Sequence, residues 1–144
     1  MKVRSVELIV TLAGLTLSAN AAGARDAANN VVVTPLLSTA VTVSGQPIVL
    51  PAKDATVIVS TYEIAAGAKL PEHKHPYPRY GYLLTGELRI TNTDTGKVQT
   101  YRSGAFIVEA IDQWHYAQSV GVGPAKLLVI DQVAHASNNV MLRQ

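Results

Sequence analysis

Two kinds of apolar pattern divide this chain. Near the N-terminus Leu8–Ala19 is one continuous apolar run, preceded by Lys2 and Arg4 and followed by Ala19-Asn20-Ala21. From residue 31 onward the apolar residues come instead in short runs, each broken by glycine, proline or small polar residues. Val31–Val33, Ala40–Val43 and Ile48–Leu50 are punctuated by Pro35, Gly45 and Pro47. Thr56–Ile64 is rich in β-branched residues and ends before Gly67. Arg79–Leu84 leads to Gly86, and Glu87–Asn92 leads to the turn Thr93-Asp94-Thr95-Gly96, from which Val98–Arg102 returns as a hairpin partner. Ala105–Ala110, Trp114–Ser119 and Ala125–Val133 complete the set. Short runs at this spacing, with glycine turns between them, predict an all-β sandwich or barrel. No stretch after residue 30 has the length and period of a helix.

The N-terminal run has the three-part layout of a secretory signal peptide: basic residues, an apolar core and a small-x-small cleavage site. Its dozen or so apolar residues fall short of the ~20 that a spanning helix requires. Cleavage after residue 21 would remove Lys2, Arg4 and Glu7 and leave a nearly neutral protein bound for the periplasm or the exterior. The chain then divides into a signal peptide (1–21), a small polar lead-in (22–30), a β-domain (31–135) and a C-terminal tail (136–144). Its 144 residues suffice for one domain with one core. With 48% hydrophobic and 15% charged residues, the composition is that of a globular protein. A formal charge of only +2 without a basic run argues against nucleic acid as a partner. There is no cysteine, so disulfides, thiolate ligands and a thiol nucleophile are excluded together.

The candidate chemistry lies in Gly67–Gly86, GAKLPEHKHPYPRYGYLLTG. His73 and His75 are two residues apart in an extended run, which puts both imidazoles on one face. His115 follows about one hairpin later. Three convergent imidazoles suit a divalent transition metal. His135 lies in the polar segment AHASNN, past the last of these runs, and is not counted among them.

From about Thr34 to Val133 the chain resembles the small single-domain cupins, whose fold is a jelly-roll β-barrel, the double-stranded β-helix. The first cupin motif runs Gly, five residues, His-x-His, three or four residues, Glu, six residues, Gly; Gly67, His73, His75 and Gly86 match it. The second runs Gly, five residues, Pro-x-Gly, two residues, His, three residues, Asn. Gly104 and His115 match, whereas Ala110, Asp112 and Ser119 replace Pro, Gly and Asn. The resemblance implies one metal inside the barrel, held here by His73, His75 and His115. It also implies a homodimer, with Val31–Leu50 as an edge that could pair or exchange.

The motif's glutamate is missing, because its position falls on Arg79. A guanidinium ~7 Å from a dication, at an effective dielectric of ~20, would be repelled by about 5 kcal/mol. Arg79 could pair with Glu72, Glu109 or Asp112; it could share an anionic ligand with the metal; or the site could hold no tight metal. Three neutral histidines favour Fe, Zn, Ni or Cu over Mn, and leave positions open for a small anionic molecule. Arg79 is then a candidate for binding that anion, and Tyr77, in the loop after His75, for lining the mouth of the pocket. A general base would be required for most reactions, and Glu109 is the candidate; a salt bridge to Arg79 is its alternative use. Tyr80, Tyr82, Trp114 and Tyr116 fall on the outward parity, and Gly81, Leu83 and Ala117 on the inward one. The functional expectations are two: a metal-dependent enzyme such as a dioxygenase or isomerase, or a non-catalytic cupin that binds a small ligand.

Overall fold

The computed structural model describes residues 25–26, 31–135 and 137–144. The signal-peptide reading of residues 1–21 falls outside them. The chain separates into two units. In the first, which ends at Pro35, strand β1 (Arg25–Asp26) pairs antiparallel with β2 (Val31–Val32).

The second unit, Leu36–Gln144, holds two antiparallel sheets. One has the order β3 (Thr56–Ile64), β10 (Ala125–Val133), β5 (Arg79–Thr85), β8 (Phe106–Val108). The other runs β11 (Met141–Leu142), β4 (His73–Lys74), β9 (His115–Ser119), β6 (Glu87–Asn92), β7 (Val98–Arg102). Ile64, Leu83, Ala125, Leu127 and Val129 of the first sheet form one core with Leu88 and Ala117 of the second. The sheets therefore face each other over a shared apolar interior, as in a jelly roll. Among the described residues there is no helix, hence none long and apolar enough to cross a membrane.

The period of two explains which residues reach that interior. Along β5, Arg79, Gly81 and Leu83 are buried while Tyr80 and Tyr82 are half-buried on the other face. Along β9, His115, Ala117 and Ser119 are buried, and Tyr116 is turned outward under the Lys69 ammonium. Gly86 joins β5 to β6 with φ of +84°, and a Cβ there would lie 2.5 Å from the Pro124 carbonyl oxygen, so only glycine fits.

Two segments differ from the sequence reading. Ala40–Val43 and Ile48–Leu50 form no strand; the bridge Val41 to Pro47, with Thr42 N–H on Gln46 O and Ile48 N–H on Ala40 O, closes a turn there, and Val43 N–H reaches Val108 O of β8. Residues 137–144, read as a tail, return to the barrel. There β11 pairs with β4, with Leu142 opposite His73 and Met141 opposite Lys74.

Candidate metal centre

His73 and His75 lie on and just after β4, and His115 opens β9 directly opposite His73 in the ladder. All three rings are buried, with centroids 4.6–4.9 Å apart. Their candidate ligand atoms lie within 4.8 Å of one another.

Each ring is oriented by a main-chain carbonyl. Nδ1–H of His73 donates to Pro71 O at 2.7 Å, that of His75 to Asn139 O at 2.6 Å and that of His115 to Gln113 O at 2.8 Å. A carbonyl only accepts, so all three protons are fixed on Nδ1. In the neutral rings Nε2 then carries the lone pair, the tautomer that metal-binding imidazoles use. His75 Nε2 is buried and makes no hydrogen bond. A buried, unsatisfied nitrogen beside two similarly oriented imidazoles is what a cation site requires. The residues present therefore fit a divalent transition metal.

Arg79 is buried at the start of β5, but its charge is already matched. Nε and Nη2 donate to the two carboxylate oxygens of Asp131 at 2.7 and 2.8 Å. The partner is none of the three the sequence offers (Glu72, Glu109, Asp112). Asp131 is opposite Arg79 in the β10–β5 ladder. It occupies an inward position of β10 in step with Ala125, Leu127, Val129 and Val133. An acid among those four apolar residues was the signal that could have revealed it. Asn139, also buried, donates Nδ2–H to Asp131 and accepts the Tyr77 N–H at Oδ1 (2.9 Å), while its carbonyl holds His75. One residue of the supposed tail thus ties the ion pair to a histidine.

Glu109 follows β8 and donates its N–H to the Arg79 carbonyl at 2.9 Å. Its Oε2 lies 3.2 Å from Nε2 of both His75 and His115. Burial alone would raise its carboxyl pKa, yet the His115 hydrogen bond and the nearness of His75 hold it well below the usual range. The reverse holds for His73, which burial pushes down to about 4. Burial also disfavours the charged form of His115, but Glu109 outweighs it and raises that pKa.

A cavity of about 140 Å³ opens beside the cluster. His73, His115, Glu109, Arg79 and Tyr62 form its polar wall, and residues such as Leu70, Leu88, Ile90, Leu127 and Val129 the apolar remainder. Val140 and Leu142 of the C-terminal segment line it too. Tyr77 does not; it borders a separate depression with Pro47, Leu50 and Ile111. Asp112, where the second motif has glycine, keeps a left-handed backbone (φ +54°), which aspartate tolerates better than most residues.

A double-stranded barrel with histidines of both motifs at one point defines the cupin class, and the family match agrees: residues 60–131 match the Cupin domain. The chain belongs to that family. No curated protein matches the sequence. Among solved structures, a conserved Klebsiella pneumoniae protein with a double-stranded β-helix domain is 21% identical, over 78% of this chain and 90% of its own, with a TM-score of 0.51. The polyketide cyclase RemF from Streptomyces resistomycificus is 18% identical over 68% of this chain and 71% of its own (TM-score 0.51). The DMSP lyase DddQ from Ruegeria pomeroyi is 19% identical over 68% of this chain, which spans 46% of the lyase (TM-score 0.53). At these identities the likeness is one of fold.

Proposed function

We propose that this protein binds one divalent transition metal through His73, His75 and His115 and uses it to hold a small molecule in the barrel. The observation that carries the reading is the set of three Nδ1–H bonds to carbonyls, which leaves three Nε2 lone pairs directed at one another. A bound dication would supply a Lewis-acid position for an anionic oxygen. The cavity, about 140 Å³ and mainly apolar, suits a small ligand with an apolar body and one anionic head. Arg79 enters this reading as a directed donor rather than a free charge, because Asp131 takes Nε and Nη2 and leaves Nη1 outside the pair.

Metal analysis after native purification tests the site. About one equivalent is expected in the wild type and none in His73→Ala/His75→Ala; equal metal in both would refute it. One observation favours the non-catalytic alternative: Glu109, the candidate base, is engaged by two histidines. Oxygen uptake across phenolic and diketone substrates separates a dioxygenase from a binder. Secretion and dimerisation belong to the same proposal. N-terminal sequencing of the exported protein should begin at residue 22. Exposed Leu36, Leu37, Val49 and Leu50 support pairing between copies, which solution mass would test.

A further inference from the structure

We infer that Glu109 is a fourth ligand of the metal, so that the acid missing from the first motif is supplied from the neighbouring strand. This rests on the three-histidine reading above. In the β5–β8 ladder Tyr80 is opposite Val108, and the next rung is closed by Glu109 N–H on Arg79 O. Glu109 and Arg79 are therefore cross-strand neighbours on the interior side, Arg79 buried and the Glu109 side chain 12% exposed. The carboxylate has moved one strand across the sheet, and an ion pair fills the place where the motif has its acid.

Three observations give Glu109 this role rather than a structural one. The salt bridge that would otherwise occupy it is absent among the described residues, because Arg79 is paired with Asp131. Next, Oε2 approaches Nε2 of His75 and of His115 at 3.2 Å each. A proton on His115 Nε2 can bridge that ring to Oε2, but His75 Nε2, protonated on Nδ1 and without a hydrogen bond, faces the same oxygen with its lone pair, which is repulsive unless a cation lies between them. The spacing also fits one ion: ligand bonds of ~2.1 Å put neighbouring donor atoms ~3.0 Å apart at a right angle and ~3.4 Å apart at the tetrahedral angle. Finally, Gly81, opposite Ile107 in the ladder, carries no side chain, and even an added Cβ there would sit 3.9 Å from Oε1, so nothing at that position crowds the carboxylate.

Two consequences distinguish this centre from an all-histidine one. A carboxylate beside three imidazoles suits Fe and Mn as well as Zn, so the preference against Mn that three histidines alone imply is relaxed. The charge also changes: a dication with Glu109, beside a neutral Arg79–Asp131 pair, leaves one net positive charge to match a monoanion.

The test titrates metal-free protein with Co(II), reading affinity by chelator competition and coordination by visible absorption. Glu109→Gln should weaken Co(II) at least tenfold and alter the spectrum, and formate added to Glu109→Ala should restore part of both. Binding by Glu109→Gln within threefold of wild type, with an unchanged spectrum, overturns the inference. Should either variant fail to fold, a crystal structure of the wild-type protein loaded with Zn(II) decides: Glu109 Oε2 about 2.0–2.2 Å from the ion supports it, and a separation beyond ~3 Å overturns it. Failure of the underlying reading looks different. There, wild type binds no Co(II), or His73→Ala/His75→Ala binds it as tightly as wild type.

Discussion

Each sheet of the barrel turns one polar cross-strand pair toward the interior, and the two pairs have opposite characters. In the five-stranded sheet His73 is opposite His115; in the four-stranded sheet Arg79 is opposite Asp131. All four residues are buried. The arginine and aspartate use each other's hydrogen-bonding atoms in a two-pronged ion pair, and Asn139 adds a further donor. The histidines use only one nitrogen each on the main chain and direct the other at a shared point. Burial of polar groups is common to both pairs. What separates a binding site from a structural strut is the bonding capacity left over once local partners are satisfied.

Breaking the strut should have the largest effect on stability. Asp131→Ala leaves the Arg79 charge buried and unpaired, and should cost about 3–5 kcal/mol in urea unfolding. Arg79→Met/Asp131→Leu, which removes both charges, should recover most of that loss, because apolar replacements of buried pairs are often neutral. If the double variant is as unstable as the single one, the pair does more than cancel itself. The histidine pair should show the converse, a stability that depends on metal. Wild type at a free metal concentration of 100 Kd should gain about 2.7 kcal/mol, and His73→Ala/His75→Ala none.

Deleting residues 139–144 removes the carbonyl that orients His75 while sparing every histidine. It should weaken metal binding by roughly 10–100-fold, as loss of a ligand's supporting hydrogen bond typically does. The smallest effect is expected with pH, and the two rings act in opposite directions in separate windows. In metal-free protein His73 is held down to about 4, so its share of stability is present above pH 6.5 and lost as pH falls through about 4. His115 is held above its usual value, so its share is present below pH 6.5 and lost as pH rises through the raised pKa. Ring titrations by NMR, one below and one above the ordinary histidine value, would check both signs.

The architecture was legible wherever a strand is long enough to show its alternation. Ala125–Val133 and Arg79–Leu84 were readable as strands, and the inward parity of Gly81, Leu83 and Ala117 agrees with their burial. Motif spacing was enough to bring His73, His75 and His115 together. The escape from the Arg79 problem was harder to see. Asp131 was read as part of a strand rather than as an acid on its buried face, and its partner lies 52 positions away. The C-terminal segment was illegible for a different reason. β11 has two residues, too few for any period, and Asn139 holds His75 through a main-chain oxygen that every residue type carries.

That main-chain oxygen has a consequence for biosynthesis. Translation delivers all three histidines before it delivers Asn139, so a nascent chain can present every imidazole while His75 still lacks the carbonyl that orients it. Val140 and Leu142, which wall the cavity, arrive later still. If the centre holds the proposed metal, ion capture in the mature geometry would be a late step, set by the docking of β11 after the rest of the barrel has been made.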